Sequence, residues 1–385
     1  MNDLRVLVVD DTIMFRKIVS DVLSEIPGVK VVGTANNGKI ALGKINNLNP
    51  NLITLDIEMP EMNGIEVLEI IQKQYPDIGV IMLSSLTYEG GEMTIKALEL
   101  GAFDFITKPQ SGNLTENKLT IKNNLIPILN AFKRRLEIKT ILKGRVASAI
   151  QKKEVKETPK IIIPSRDILK EPIYSDDAVH RLNRFSSKIK QKPDIIAIGI
   201  STGGPSALAH MMPNIPSDIG IPILIVQHMP PIFTQSLARS LSSKCSISVK
   251  EASEGDILLP NIAFIAPGGK QMKLSKSYDG RNIVVRITDD PPENSCKPSV
   301  DFLFRSIADF FPGKVTAVIM TGMGSDGTNG LKILKSNGAF IIAQNEETCT
   351  VFGMPKVPIE LGIVDVIAPL DQIATEIVKT VKRCC

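Results

Sequence analysis

Two long stretches of the chain alternate short apolar runs with segments of helix length. In the first, RVLVVDD (Arg5–Asp11) is followed by VKVVGTA, LITLDIEMP, IGVIMLSS and FDFITKP. Between them, GIEVLEIIQKQ sets Ile65, Leu68, Ile71 and Gln72 at helical spacing. Near-continuous apolar strands separated by helices predict a five-stranded parallel sheet covered on both faces. The last helix of this stretch is expected over about Glu116–Leu136.

A second alternating pattern begins at Pro193. DIIAIGIS runs into a Gly-rich turn, and IPILIVQHMP, AFIAP, KVTAVIMTGMG and AFIIAQ are further strand candidates. Helices are expected at Ile232–Leu241, Ser299–Phe310, Gly327–Asn337 and Leu370–Val381. MKLSKSYDGRNIVVRIT reads as a hairpin around Asp279-Gly280. The fold class is therefore α/β in two doubly wound domains, the second with an added hairpin.

From about Lys139 to Lys192 the apolar period disappears, and KGR, QKKEVKETPK and SSKIKQKP read as a solvated linker. The divisions drawn are 1–125, a basic linker over 126–192, and 193–385. Charge follows them: residues 1–110 carry −6, 111–193 carry +11 and 194–385 carry −1. The flanks do not look like nucleic-acid surfaces, and a basic arm without interleaved aromatics is the weaker reading of the centre. No stretch approaches a membrane span, and the acidic N-terminus does not resemble a signal peptide, so a cytoplasmic protein is expected. Five cysteines without a CxxC pair argue against a disulfide framework or a zinc site. Cys384-Cys385 reads as a tail.

The first half places its polar groups at strand ends, where open parallel sheets gather function. Asp10 and Asp11 end the first strand, Asp56 the third, Ser84 the fourth, and Lys108 the fifth. Converging carboxylates repel one another and favour a hard divalent cation such as Mg²⁺. A lysine and a hydroxyl nearby suit a transferred phosphoryl group. Each acid alone also reads as a strand-end turn residue. The ordered set resembles the receiver domains of two-component response regulators. That resemblance implies Asp56 as phospho-acceptor, Asp10, Asp11 and the Glu58 carbonyl with Asp56 as the metal site, Ser84 as the switch hydroxyl and Phe105 as the switch aromatic.

In the second half, Gly199-Ile200-Ser201-Thr202-Gly203 matches G-x-S-x-G between a strand and a helix. A phosphate-cradling turn or a plain tight loop reads equally from the pattern alone. A serine nucleophile needs a base and an orienting acid. Of three histidines, His228 lies at a strand end, His210 in a helix and His180 in the linker. Asp326 follows another strand, in a position that also suits a helix N-cap. The order Ser, His, Asp departs from that of the α/β-hydrolases.

STGGPSAL, VQHMPPIFTQSLA, ITDDPPENSCKPSVDFLF and MTGMGSDG resemble the chemotaxis protein-glutamate methylesterase family. The resemblance implies a receiver, a linker and an esterase that hydrolyses glutamate methyl esters on chemoreceptors and often deamidates glutamines. It carries the triad to Ser201, His228 and Asp326 and an oxyanion site to Thr202 and Met323. It implies a chemotaxis histidine kinase as phosphodonor, and a receiver that covers the esterase until phosphorylated. The implied esterase has no cofactor. A DNA-binding regulator would need a basic helix-turn-helix output. A pure interaction module would not need serine, histidine and acid at three strand ends.

Overall fold

A computed structural model of the chain describes residues 3–110, 112–151 and 191–382. The described residues of Met1–Phe132 and Ile189–Cys385 form one compact unit. His180 and Cys384-Cys385 lie outside the described residues.

The first half forms the expected sheet. Its strands are β1 (Leu4–Val9), β2 (Val29–Ala35), β3 (Leu52–Asp56), β4 (Gly79–Ser84) and β5 (Asp104–Thr107), in the order β2-β1-β3-β4-β5. All neighbours run parallel. Every residue of β3 is buried, as a strand covered on both faces requires. The helices are α1 (Ile13–Ser24), α2 (Gly38–Leu48), α3 (Gly64–Gln74), α4 (Tyr88–Glu99) and α5 (Leu114–Gln151). Asn63 opens α3 with a capping box: its side chain accepts from the Glu66 N–H while Glu66 accepts from the Asn63 N–H.

Helix α5 is longer than the Glu116–Leu136 expected from periodicity, and the boundary drawn at residue 125 falls inside it. Ile128, Leu129 and Phe132 are buried in the core of the first half. The Phe132 ring meets Phe103 edge-on at 5.1 Å. The helix then runs past Lys139, where the linker was drawn, as far as Gln151. Lys and Arg are good helix formers without an apolar stripe, so loss of the stripe did not mark the end of the helix.

The second half is a seven-stranded sheet. Its strands are β6 (Ile195–Ile200), β7 (Ile223–Gln227), β8 (Ser248–Glu251), β9 (Ile262–Ile265), β12 (Val315–Ile319), β13 (Phe340–Gln344) and β14 (Val366–Ala368). Their order is β14-β13-β12-β6-β7-β9-β8, all parallel. The expected hairpin is present as β10 (Gln271–Lys276) paired antiparallel with β11 (Ile283–Thr288). The flanking helices are α6 (Gly204–Met211), α7 (Phe233–Ser242), α8 (Val300–Phe310), α9 (Thr328–Ser336), α10 (Lys356–Glu360) and α11 (Leu370–Lys382). Four of these lie within a residue or so of the expected helices.

Candidate active site and phosphoryl-acceptor pocket

Strand β6 is buried along its whole length and ends at Ile200, which delivers Ser201 to the sheet's C-terminal edge. Gly203 follows with φ of +78°, a backbone conformation in which a Cβ is strained, and caps α6. A Cβ on Gly204 would collide with the Gln227 side chain. The two glycines thus let the chain turn sharply enough to present Ser201 beside the end of the neighbouring strand β7. Ser201 is held from behind: its N–H donates to the Thr321 carbonyl at 2.9 Å, and its carbonyl accepts from Gln227 Nε2 at 3.0 Å.

His228 follows β7 directly, and its N–H donates to the Ile200 carbonyl at 3.1 Å. His228 Nε2 and Asp326 Oδ2 are 2.8 Å apart. The sequence left Asp326 open between an orienting acid and a helix cap. It does not cap α9, the helix that follows it, whose N-cap is Gly327. It accepts instead from Ser299 Oγ at 2.9 Å, Asn294 Nδ2 at 2.8 Å and the Val300 N–H at 2.7 Å, at the start of α8. These donors fix the carboxylate and leave it facing the imidazole.

Burial alone would raise the Asp326 carboxyl, but the His228 hydrogen bond and charge, with Asn294 and Val300, bring it down to about 2. Burial alone would depress His228. The bonds to Asp326 and to Cys296 outweigh it and push the imidazole up to about 9. Among the described residues no hydrogen bond joins Ser201 Oγ to His228. The other ring nitrogen, Nδ1, is instead hydrogen-bonded with Cys296 Sγ at 3.6 Å. Cys296, Asn294 and Ser299 all belong to the quoted segment ITDDPPENSCKPSVDFLF, yet sequence reasoning gave none of them a role. Their signal is tertiary, because they reach the site from a loop far along the chain. His210 is on α6, and its carbonyl accepts from Asn214.

In the first half, Lys108 Nζ lies 2.8 Å from Asp10 Oδ2 and 2.7 Å from Asp56 Oδ2. Asp10, Asp11 and Asp56 bring carboxylate oxygens within 4.8 Å of one another. This all-oxygen donor set, beside one lysine, fits a hard divalent cation. Burial drives the Asp56 carboxyl up to about 6 against the pull of Lys108. Ser84 Oγ is turned into α4, where it accepts from Thr94 Oγ1 at 2.6 Å. Glu58 bonds sideways through its carboxylate to Ser85 Oγ at 2.8 Å. Phe105, on edge strand β5, packs on Phe233 of α7 with ring centroids 4.6 Å apart.

The two halves meet over the serine. A cleft of about 260 Å³ is lined by Ser201, Thr202, His228 and Met323 on one side and by Asp104, Phe105 and Pro127 on the other. Thr202 Oγ1 donates to Asp104 Oδ2 at 2.9 Å. Ser240 Oγ donates to Glu99 Oε1 at 2.6 Å, and Lys244 pairs with the same carboxylate. The covering surface is made by α4, β5 and α5, not by the strand ends that carry Asp56. Asp104 stands at the opposite, leading end of β5.

Two sequence families match this chain: residues 196–377 match the CheB methylesterase, and residues 6–119 the response regulator receiver domain. A protein-glutamate methylesterase/protein-glutamine glutaminase of Desulfotalea psychrophila is 54% identical over 99% of this chain and 100% of its own. The chain belongs to the CheB methylesterase family. A Bacillus subtilis protein of the same description is 42% identical over 99% of both chains. Among solved structures, the Thermotoga maritima CheB methylesterase catalytic domain is 40% identical, covering 49% of this chain and 99% of that one, with a TM-score of 0.47. The response regulator domain of Thermotoga maritima CheB is 45% identical, covering 34% of this chain and 98% of that one, with a TM-score of 0.31. Within this family the first half is a receiver and the second a methylesterase.

Proposed function

We propose that the chain hydrolyses glutamate γ-methyl esters on chemoreceptors, and deamidates receptor glutamines, with Ser201 as nucleophile, His228 as base and Asp326 as its orienting acid. The observation that carries this reading is the His228–Asp326 pair at 2.8 Å beside a serine on a strand-to-helix turn. With Nε2 committed to Asp326, Nδ1 exchanges Cys296 for the serine hydroxyl, and the proton of Ser201 passes to it. Serine oxygen then bonds to the γ-carbonyl carbon, and the oxyanion forms against the backbone donors around Thr202 and Met323. His228 returns the proton to the departing methoxide, which leaves as methanol. Water, deprotonated by the same nitrogen, then bonds to the acyl carbon, the bond to Ser201 breaks, and the proton returns to the serine oxygen as the γ-carboxylate is released.

The receiver takes a phosphoryl group on Asp56 from a chemotaxis histidine kinase. Asp10, Asp11, Asp56 and the Glu58 carbonyl would hold Mg²⁺, which when bound would supply positive charge against the negative phosphoryl oxygens. Lys108 pairs with a phosphoryl oxygen and Ser84 rotates out of α4 to bond another. Because Ser84 is tied to Thr94, that rotation disturbs α4, the helix packed on α7. A docking preference of ~2–3 kcal/mol would leave about 1–3% of molecules open, so removing it raises activity many-fold. The chain works in the cytoplasm. The working division is receiver, basic linker and esterase, with the receiver's core extending to Phe132.

Methanol release from methylated receptor membranes tests the reading. It should occur, and it should rise when a small phosphodonor and Mg²⁺ are added. Membranes that keep their methyl groups under both conditions would contradict it.

A further inference from the structure

Asp104 is an expensive residue to place where it is. Its carboxyl is half-buried between the two halves and held by two donors, the Phe105 N–H at 2.9 Å and the Thr202 hydroxyl at 2.9 Å. Burial pushes it up to about 6 against those two bonds. A carboxylate so sparsely compensated weakens an interface more readily than it strengthens one. The other polar contacts between the halves have ordinary surface chemistry, as in the Glu99 pair with Lys244.

Its position supplies a reason. Thr202 is the residue after the nucleophile, whose backbone helps form the oxyanion site of such a turn. Asp104 reaches into the cleft that Ser201, His228 and Met323 line. The product of the proposed reaction is also a side-chain carboxylate, one methylene longer. We propose that the Thr202 hydroxyl is the binding group for the substrate's γ-carboxyl function, and that Asp104 occupies this carboxylate subsite as an internal product mimic.

The inference rests on the esterase reading and deepens it. Docking then does more than obstruct, because receiver and product compete for one hydrogen-bond donor. By linkage, a carboxylate in the subsite loosens the receiver to the same degree that the receiver excludes it. Receptor glutamates already demethylated would compete with Asp104 for the same hydroxyl.

The test is chemical rescue in the unphosphorylated full chain, read as methanol release. Asp104→Ala removes the internal carboxylate and leaves a space of its size. Glu99→Ala weakens the same interface away from the cleft. Both variants should release methanol several-fold faster than the parent. Sodium acetate, compared with chloride at equal ionic strength, should slow Asp104→Ala back toward the parent rate and slow Glu99→Ala, whose own Asp104 still fills the subsite, by clearly less. Asp104→Ser, which opens the same space with a polar side chain, should behave as Asp104→Ala does. Stimulation of each variant by phosphoramidate, a donor that yields no acetate, reports that its fold is intact. Equal slowing of both variants by acetate, slowing of neither, or no gain in the Asp104 variants would overturn the proposal. If Ser201→Ala abolishes none of this turnover, the nucleophile assignment fails instead, which is a separate result.

Discussion

Phe105 and Phe233 pack across the two halves with ring centroids 4.6 Å apart and their planes tilted by 46°. Phe105 sits one residue beyond Asp104 on the edge strand β5, and Phe233 is fully buried at the start of α7. The aromatic that the receiver resemblance marks as a switch is therefore part of the surface that closes over Ser201. An aromatic pair of this kind contributes ~0.5–1.5 kcal/mol beyond the area it buries. Phe105→Ala should raise methanol release by the unphosphorylated chain several-fold and shrink the further gain on phosphorylation. An unchanged ratio of phosphorylated to unphosphorylated rates would separate this contact from the switch.

Asp326→Asn should keep the fold and lose activity by roughly 10³–10⁴. An amide cannot stabilise the imidazolium and would favour the wrong tautomer. The side chain also accepts from Ser299, Asn294 and the Val300 N–H, so Asn would turn a donor toward at least one of them. A melting curve beside the rate measurement distinguishes loss of orientation from loss of structure.

The pH dependence should run upward. His228 must be neutral to accept the serine proton, and in this arrangement its pKa is about 9. Methanol release by the unphosphorylated chain should therefore climb through that range and level off above it. Cys296 is one of the two contacts holding the imidazole in its charged form, so Cys296→Ala should move the midpoint downward. The stabilisation that protonated His228 draws from Asp326 is complete below the ordinary histidine value and is lost as pH rises through about 9. A midpoint that does not move in Cys296→Ala would remove sulfur from the account.

The receiver's core should be damaged by cutting the chain at 125. Phe132 packs on Phe103, and a Cβ at Gly79 would collide with its ring. Phe132→Ala should cost about 3–5 kcal/mol in receiver stability by chemical denaturation, the usual range for an enclosed aromatic. A loss below about 1 kcal/mol would mean that α5 beyond residue 125 contributes no core.

Most of the α/β organisation was legible because its strands are apolar on both faces. The runs at Ile195–Ile200 and Ile223–Gln227 are buried throughout, and each is followed directly by a residue of the proposed triad. Two strands escaped notice for physical reasons. Ser248–Glu251 is an edge strand whose sequence SVKE is half polar, as edges often are, and Val366–Ala368 is only three residues long. In the site, Ser201, His228 and Asp326 announced themselves by position at strand ends. Cys296, Asn294 and Asp104 did not, since each acts through a contact with a residue far away in sequence. Asp104 in particular looks like one more acid in a receiver until Thr202 is seen to donate to it.

Asp56→Ala should leave the unphosphorylated rate close to that of the parent and abolish its response to phosphoramidate with Mg²⁺. Lys108 bridges Asp10 and Asp56, so loss of one carboxylate leaves it one close partner. Stimulation that survives in Asp56→Ala would place the phosphoryl group elsewhere.

In the proposed reaction one serine, directly after β6, performs the hydrolysis. The most direct test is methanol release from methylated receptor membranes by the phosphorylated full chain and by Ser201→Ala at matched concentration. Steady release is expected from the parent and only the background of membranes alone from the folded variant. Substantial release by folded Ser201→Ala would contradict it.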